Sequence, residues 1–194
     1  MEKHLFLTGP AGCGKSAAIR SVLGQRLQSA GGFAAEIERD AAGALLRCSL
    51  LPAAAAGGAE GFDALPYLDL RGASPVHDNE VFRTEGVRLL QEAAWYPYTV
   101  LDPIGGFELL IPQFRGVLAE LLNAEQPLLG VLMPRKEAEA LCRRLGLSER
   151  VQMNIAQLWK ALQADSDTRI ADLSGLHRRR SLRMLEQWAE EYAR

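Results

Sequence analysis

One glycine-rich stretch near the start of the chain restricts the fold more than any other feature. Residues 9–16 read Gly-Pro-Ala-Gly-Cys-Gly-Lys-Ser and match the pattern G-x-x-x-x-G-K-[ST] in full. The apolar run at residues 5–8 precedes the loop and predicts a short buried strand. Apolar residues at helical spacing follow it, namely Ile19, Val22, Leu23 and Leu27. The order strand, glycine loop, helix is the context that this pattern requires.

The chemistry of such a loop predicts that it binds a nucleoside triphosphate. Glycines let successive backbone N–H groups point inward as a nest for phosphate oxygens, and the start of the following helix adds to the attraction. Lys15 would reach the β- and γ-phosphates, and Ser16 would place its hydroxyl on Mg²⁺. The alternative is a glycine-rich turn with a coincidental lysine. The predicted nucleotide-binding residues are Gly9, Pro10, Ala11, Gly12, Cys13, Gly14, Lys15, Ser16 and Ala17.

Cys13 adds a thiol to the loop. It lies beside Lys15 and the start of the helix, a setting in which thiols become reactive. The alternative interpretation is a small residue that the loop tolerates.

A second buried strand is predicted at residues 98–102 and ends on a carboxylate, Asp102. We expect Asp102 to lie on the Mg²⁺ side of the phosphates; the alternative is a turn-capping aspartate, since Pro103 follows it. In many ATPases a glutamate directly after this aspartate orients and deprotonates the attacking water. Pro103 offers no base, and a positioned base contributes about 10²–10⁴-fold to rate, so slow hydrolysis is predicted. Glu108 is the nearest acidic replacement, or else a structural carboxylate.

Strand and helix patterns alternate along the rest of the chain, and the strands are wholly apolar. That alternation predicts an α/β fold, with a mainly parallel sheet covered by helices on both faces, in one domain over residues 1–194. The glycine pair at 31–32 is expected to break the first helix. An antiparallel hairpin is predicted from strands at 33–39 and 44–50. The remaining expectations are a largely loop segment at 52–80 with a third strand at 67–70, strands at 128–133 and 168–173, and a helix at 149–163 with Ser148 as its cap.

Composition excludes several classes of protein. The chain has 194 residues with 22 Lys plus Arg and 24 Asp plus Glu, a net charge of −2, which argues against a primary role in nucleic-acid binding. Three cysteines without C-x-x-C spacing argue against a disulfide framework or zinc site and fit a reducing cytoplasm. No run approaches 18 consecutive apolar residues, so no membrane span is expected.

Three segments together resemble a known family. They are the loop at 9–16, the hairpin strand at 32–39 (Gly-Phe-Ala-Ala-Glu-Ile-Glu-Arg) and the segment at 101–109 (Leu-Asp-Pro-Ile-Gly-Gly-Phe-Glu-Leu). The chain resembles the small P-loop nucleoside-triphosphatases, of the type called cancer-related nucleoside-triphosphatase. The resemblance implies a RecA-like three-layer fold and Mg²⁺-dependent hydrolysis of nucleoside triphosphates with loose base preference.

The chain departs from that family at four places. Pro103 stands where the family has its catalytic Glu, and Gly106 stands where it has Lys. The helix at 149–163 looks like an addition. The family's Asn-Arg pair after the last strand is replaced by His-Arg-Arg-Arg at 177–180, where Arg178 is either a γ-phosphate ligand or part of a solvated basic stretch.

Three functions are consistent with these residues. The first is an enzyme that hydrolyses ATP or GTP with Mg²⁺ as cofactor, with Lys15, Glu108 and Arg178 as catalytic residues and Ser16 and Asp102 on the metal. The second, favoured by Pro103, is a nucleotide-binding switch or module with little or no hydrolysis. The third is a small-molecule kinase, for which the sequence shows no convincing lid.

Overall fold

The computed structural model describes residues 2–72, 74–147 and 149–194. In those ranges the strands are β1 His4–Thr8, β2 Ala30–Arg39, β3 Leu45–Pro52, β4 Leu65–Asp69, β5 Val76–His77, β6 Tyr98–Ile104, β7 Leu128–Leu132 and β8 Thr168–Asp172. The α-helices are α1 Lys15–Leu23, α2 Ala53–Ala56, α3 Asn79–Val81, α4 Val87–Glu92, α5 Pro112–Leu122, α6 Arg135–Arg144, α7 Glu149–Ala164 and α8 Arg178–Tyr192. Short 3₁₀ segments lie at Gly24–Ser29, Ala93–Trp95, Phe107–Leu110 and Gly175–His177, and a π-helical turn at Phe82–Gly86 joins α3 to α4.

The strands form one sheet in the order β5-β4-β3-β2-β6-β7-β1-β8. Neighbours are parallel from β2 to β8, whereas β3, β4 and β5 continue from β2 as an antiparallel meander. This arrangement confirms the predicted α/β sheet with its antiparallel hairpin. Strand β7 lies between β1 and β6 and pairs with both, so the carboxyl ends of all three meet at one edge.

Helices cover both faces of this sheet. Side chains alternate sides along each strand, so a single strand can contribute residues to the core on either face. In β1, Leu5 and Leu7 face a core shared with α1 and α8, which contains Ile19, Leu185 and Trp188. Phe6 faces the opposite core, shared with helices α4 to α7. The fold therefore has three layers, as predicted.

The prediction that residues 31–32 break the first helix is wrong. Helix α1 ends at Leu23, and Gly31 and Gly32 lie inside β2. A Cβ on Gly31 would come 2.7 Å from the Cα of Ala93, and one on Gly32 would come 2.3 Å from the carbonyl oxygen of Val100. Glycine at these positions lets β2 pack closely against its neighbours, which no local pattern reveals.

The segment at 52–80 is more structured than its composition suggests. It contains α2, β4, β5 and the start of α3, and β4 confirms the third strand expected near 67–70. The expected cap at Ser148 lies outside the described residues.

Helix α7 braces the two loops that end β6 and β7. Its buried Asn154 donates a hydrogen bond from Nδ2 to the carbonyl oxygen of Leu109 at 2.8 Å. The indole Nε1 of Trp159 donates to the carbonyl oxygen of Met133 at 3.3 Å. One helix thus holds both loops at the edge of the sheet where the glycine loop also lies.

Candidate functional site

The glycine loop lies between β1 and α1 in the conformation that its sequence requires. Gly9 and Gly14 have backbone φ angles of 135° and 90°, which residues with a Cβ rarely adopt. A Cβ on Gly9 would also come 3.2 Å from Oδ1 of Asp172, so the loop packs tightly against the end of β8. Helix α1 begins directly after Gly14, so its unpaired N–H groups face the loop.

Two cationic side chains lie on this loop. Lys15 donates hydrogen bonds from Nζ to the carbonyl oxygens of Gly9, at 2.6 Å, and Pro10, at 3.0 Å. Arg178, the first residue of α8, donates from Nη1 to the carbonyl oxygen of Cys13 at 2.6 Å. The structure therefore brings these two predicted residues together, although 163 positions separate them in sequence.

Ser16 and Asp102 meet beside the loop. The hydroxyl of Ser16 donates to Oδ1 of Asp102 at 2.9 Å. Burial raises the pKa of Asp102 to about 6, while the Ser16 hydrogen bond and the charges of Arg20 and Lys15 act to lower it. Hydroxyl and carboxylate oxygens are the ligands that Mg²⁺ takes, commonly alongside phosphate oxygens and water. The donor set therefore fits a magnesium ion that arrives with a nucleotide.

Glu108 lies in the loop after β6 and is buried. Its Oε1 accepts hydrogen bonds from the backbone N–H groups of Gly105, at 2.6 Å, and Gly106, at 2.8 Å. Burial raises the pKa of Glu108, and the two amides act to lower it. A Cβ on Gly106 would come 2.8 Å from Oε2 of Glu108, so the glycine at this position leaves room for the carboxylate. These contacts hold the Glu108 carboxylate against the backbone of the loop that follows β6.

Sequence reasoning missed one carboxylate that touches the loop. Oε1 of Glu137 accepts a hydrogen bond at 2.9 Å from the backbone N–H of Ala11. Glu137 lies in the first turn of α6, which follows β7, the strand beside β1. The sequence signal for Glu137 was an acidic residue in the first turn of the helix that follows a buried strand. That signal points to the loop only once β7 is known to lie beside β1. Arg20 was missed as well; it lies one helical turn beyond Ser16 and lines the same cavity.

A cavity of about 640 Å³ runs from this loop across the carboxyl end of β6. Lys15, Ser16, Asp102, Pro103 and Glu137 line the part near the loop. Beyond Asp102 the walls are mostly apolar, formed by Ile37, Cys48, Tyr67, Phe82, Phe107 and Leu141, and they also include Glu36, Arg39 and Glu108.

A glycine loop between strand and helix, with its serine hydrogen-bonded to an aspartate two strands away, defines a P-loop nucleotide-binding protein of the α/β class. The comparisons with known proteins agree. A family model described as NTPase matches residues 4–159, and the chain belongs to this NTPase family. The predicted resemblance to small P-loop nucleoside-triphosphatases is thereby confirmed.

Among solved structures, the crystal structure of THEP1 from the hyperthermophile Aquifex aeolicus matches with a TM-score of 0.54. The two chains are 15% identical over 82% of this chain and 99% of that one, so the likeness supports the fold alone. A search of curated proteins gives no match. The family match ends at residue 159 and so includes the greater part of α7, the helix that the sequence suggested was an addition. Within the described residues, no helix has the length and apolar character needed to cross a bilayer.

Proposed function

We propose that the protein binds the magnesium complex of ATP or GTP in the loop at 9–17 and hydrolyses it slowly to the diphosphate and phosphate. The observation that carries the proposal is the 2.9 Å contact between Ser16 Oγ and Asp102 Oδ1 beside the loop. That contact supports the proposal, because the two oxygens would be magnesium ligands beside the β- and γ-phosphates of a nucleotide bound in this loop. The family to which the chain belongs supports the same activity.

Different groups around the loop would bind different parts of the triphosphate. Backbone N–H groups at the start of α1 bind phosphate oxygens, and the helix dipole favours their negative charge. The Lys15 ammonium, now on the carbonyl oxygens of Gly9 and Pro10, has to turn from them to the β- and γ-phosphates. Magnesium, when bound, neutralises charge that develops on the phosphates during transfer to water. Arg178 reaches the loop from α8 and supplies a further positive charge near the terminal phosphate.

The site has no side chain in the expected place to position the attacking water. Pro103 has no side-chain base, and Glu108 has one oxygen committed to two backbone amides. Glu108 and Glu137 both line the cavity, but Oε1 of Glu137 accepts from one backbone N–H only, that of Ala11, the third residue of the phosphate loop itself. We therefore assign to Glu137 the role of holding the water against the terminal phosphate.

The primary test measures binding and turnover separately. Titration calorimetry with Mg-ADP and Mg-ATP is expected to show binding by the intact protein, and Lys15→Ala is expected to abolish it. Lys160→Ala, an exposed lysine on α7, serves as the matched control and should bind normally. Phosphate release from Mg-ATP and Mg-GTP should be measurable, and about 10²–10⁴-fold slower than in an enzyme with a positioned base. No heat with either nucleotide would refute the proposal.

A paired substitution tests the role of Glu137. Glu137→Gln keeps an oxygen that can accept from the Ala11 N–H but removes the carboxylate charge, so turnover should fall with nucleotide affinity unchanged. Glu139→Gln on the same helix, whose carboxylate pairs with Arg135, is the control and should leave turnover unchanged. Equal turnover in Glu137→Gln and the unmodified protein would exclude Glu137 from the reaction.

A switch with little hydrolysis is the second candidate, and the same observation on Pro103 and Glu108 favours it. Tight nucleotide binding with turnover no faster than that of Lys15→Ala would establish it. For either function we propose a cytoplasmic location, because Cys13, Cys48 and Cys142 are all free thiols. The net charge of −2 argues against nucleic acid as the partner.

A further inference from the structure

The cavity beside the phosphate loop continues into a region that a triphosphate does not explain. We call this region the distal chamber and define it by its lining residues, Ile37, Cys48, Tyr67, Phe82, Phe107 and Leu141. Phosphates require amides, cations and metal, which are concentrated at the loop end of the cavity. The distal chamber instead has aromatic and aliphatic walls, which are typical of sites for small organic molecules.

The strand order places the distal chamber at the terminal-phosphate end of a bound nucleotide. The glycine loop follows β1, and Asp102 on β6 lies two strands away, on the side where the β- and γ-phosphates would be held. Cys48 and Tyr67 are on β3 and β4, farther across the sheet than β6. A ligand in the distal chamber would therefore face the terminal phosphate, on the opposite side of it from the nucleoside.

The chamber wall is preformed by packed aromatic rings. Phe82 contacts Tyr67 edge to face with ring centroids 4.9 Å apart, and contacts Phe107 at 5.8 Å. These rings are all less than a tenth exposed, and they belong to three separate elements. Rigid aromatic walls present a fixed surface, so a ligand that fits them loses little binding energy to reordering of the site.

Ionisable groups of both signs surround the distal chamber. Glu108 and Tyr67 lie on its inner side, and burial raises the pKa of each. Glu36 and Arg39, exposed residues of β2, line the same cavity. The lining therefore does not select the charge of a ligand, whereas the aromatic and aliphatic walls favour an apolar body.

We propose that the distal chamber is a second binding site, for a small molecule with an aromatic or branched apolar body, held next to the terminal phosphate of the nucleotide. The placement next to a phosphate rests on the proposed function; the existence of the chamber as a binding site does not. Occupancy by such a molecule excludes water from this side of the terminal phosphate.

The first experiment uses a neutral probe, N-phenyl-1-naphthylamine, which fluoresces more strongly in apolar sites. The intact protein is expected to bind this neutral probe saturably at one site, because the aromatic walls of the distal chamber offer a surface for its rings. Absence of saturable binding would overturn the proposal.

Substitutions that fill the chamber locate the probe. Ala35→Leu and Cys48→Phe add bulk from β2 and β3 respectively, and each should weaken neutral-probe binding by about tenfold or more. Val76→Phe adds an aromatic ring at an exposed position of β5, outside the cavity, and should leave the affinity unchanged. Circular dichroism identifies any variant that fails to fold, and the other then decides. Two folded filling variants with undiminished affinity would refute the assignment.

Nucleotide competition separates this proposal from the proposed function. Saturating Mg-ADP should leave probe affinity unchanged within about twofold, because the diphosphate occupies the loop and not the chamber. Displacement of the probe by Mg-ADP would show that the chamber is part of the nucleotide's own site and would overturn the proposal. If calorimetry detects no nucleotide binding while the filling variants still weaken the probe, the proposed function fails and the chamber stands as a binding site.

Discussion

The close approach of β2 to β6 at Gly32 can be tested by adding a single methyl group. Gly32 has φ of 85°, and its added Cβ would lie 2.3 Å from the carbonyl oxygen of Val100. The left-handed backbone costs about 1–2 kcal/mol for a residue with a Cβ. Forcing extra volume into a packed region costs about 1–3 kcal/mol more. Gly32→Ala should therefore lower the free energy of unfolding by about 2–5 kcal/mol.

Gly43 provides a control with the same backbone angle and no contact. Its φ is also 85°, but a Cβ there would meet no heavy atom within 4 Å. Gly43→Ala should cost only the backbone contribution, about 1–2 kcal/mol. Urea denaturation of the two variants measures both losses, and thermal unfolding should show about 2–4 °C per kcal/mol for a chain of this size. Equal destabilisation by the two substitutions would show that the clash with Val100 is not real.

Three further outcomes are expected. Gly116→Ala, in the exposed middle of α5 with no atom within 4 Å of the added Cβ, should raise the free energy of unfolding by about 0.5–1 kcal/mol in urea denaturation. Burial lowers the pKa of His4 below 6.5, so in the pH range just below 6.5 the unfolded chain binds a proton that the folded chain does not. The free energy of unfolding should therefore fall as the pH drops below about 6.5. In His4→Leu the denaturation midpoint should fall less over the same pH range than it does in the unmodified protein. Arg178→Ala should reduce phosphate release by at least about tenfold while Arg179→Ala, its exposed neighbour, does not; identical loss in both would indicate a general charge effect.

The parts of the fold that could be predicted are those with strong local patterns. The spacing of the residues in the loop at 9–16 predicts its chemistry, and the apolar strand before the loop is buried as expected. Asp102 was found because it ends the strand predicted at 98–102, and in the structure its carboxylate accepts a hydrogen bond from Ser16. Both inferences depend on residues close together in the chain.

The parts that escaped prediction depend on contacts between distant residues. Gly31 and Gly32 were predicted to break a helix. In the structure both positions need glycine because a Cβ would clash, with the turn at Ala93 in the first case and with the neighbouring strand β6 in the second. Glu137 is an unremarkable acid in a helix until β7 is known to lie beside β1. Glu108 was interpreted from the sequence either as a replacement base or as a structural carboxylate, and its hydrogen bonds with the backbone N–H groups of Gly105 and Gly106 become visible only in three dimensions.

The bracing of two loops by α7 has a consequence for how the protein comes into being. Asn154 donates a hydrogen bond to a backbone carbonyl 45 residues earlier in the chain, and Trp159 donates to one 26 residues earlier. During synthesis the phosphate loop is therefore made before the helix that holds those two loops. We expect ligand capture to begin only after α7 has been synthesised and has docked.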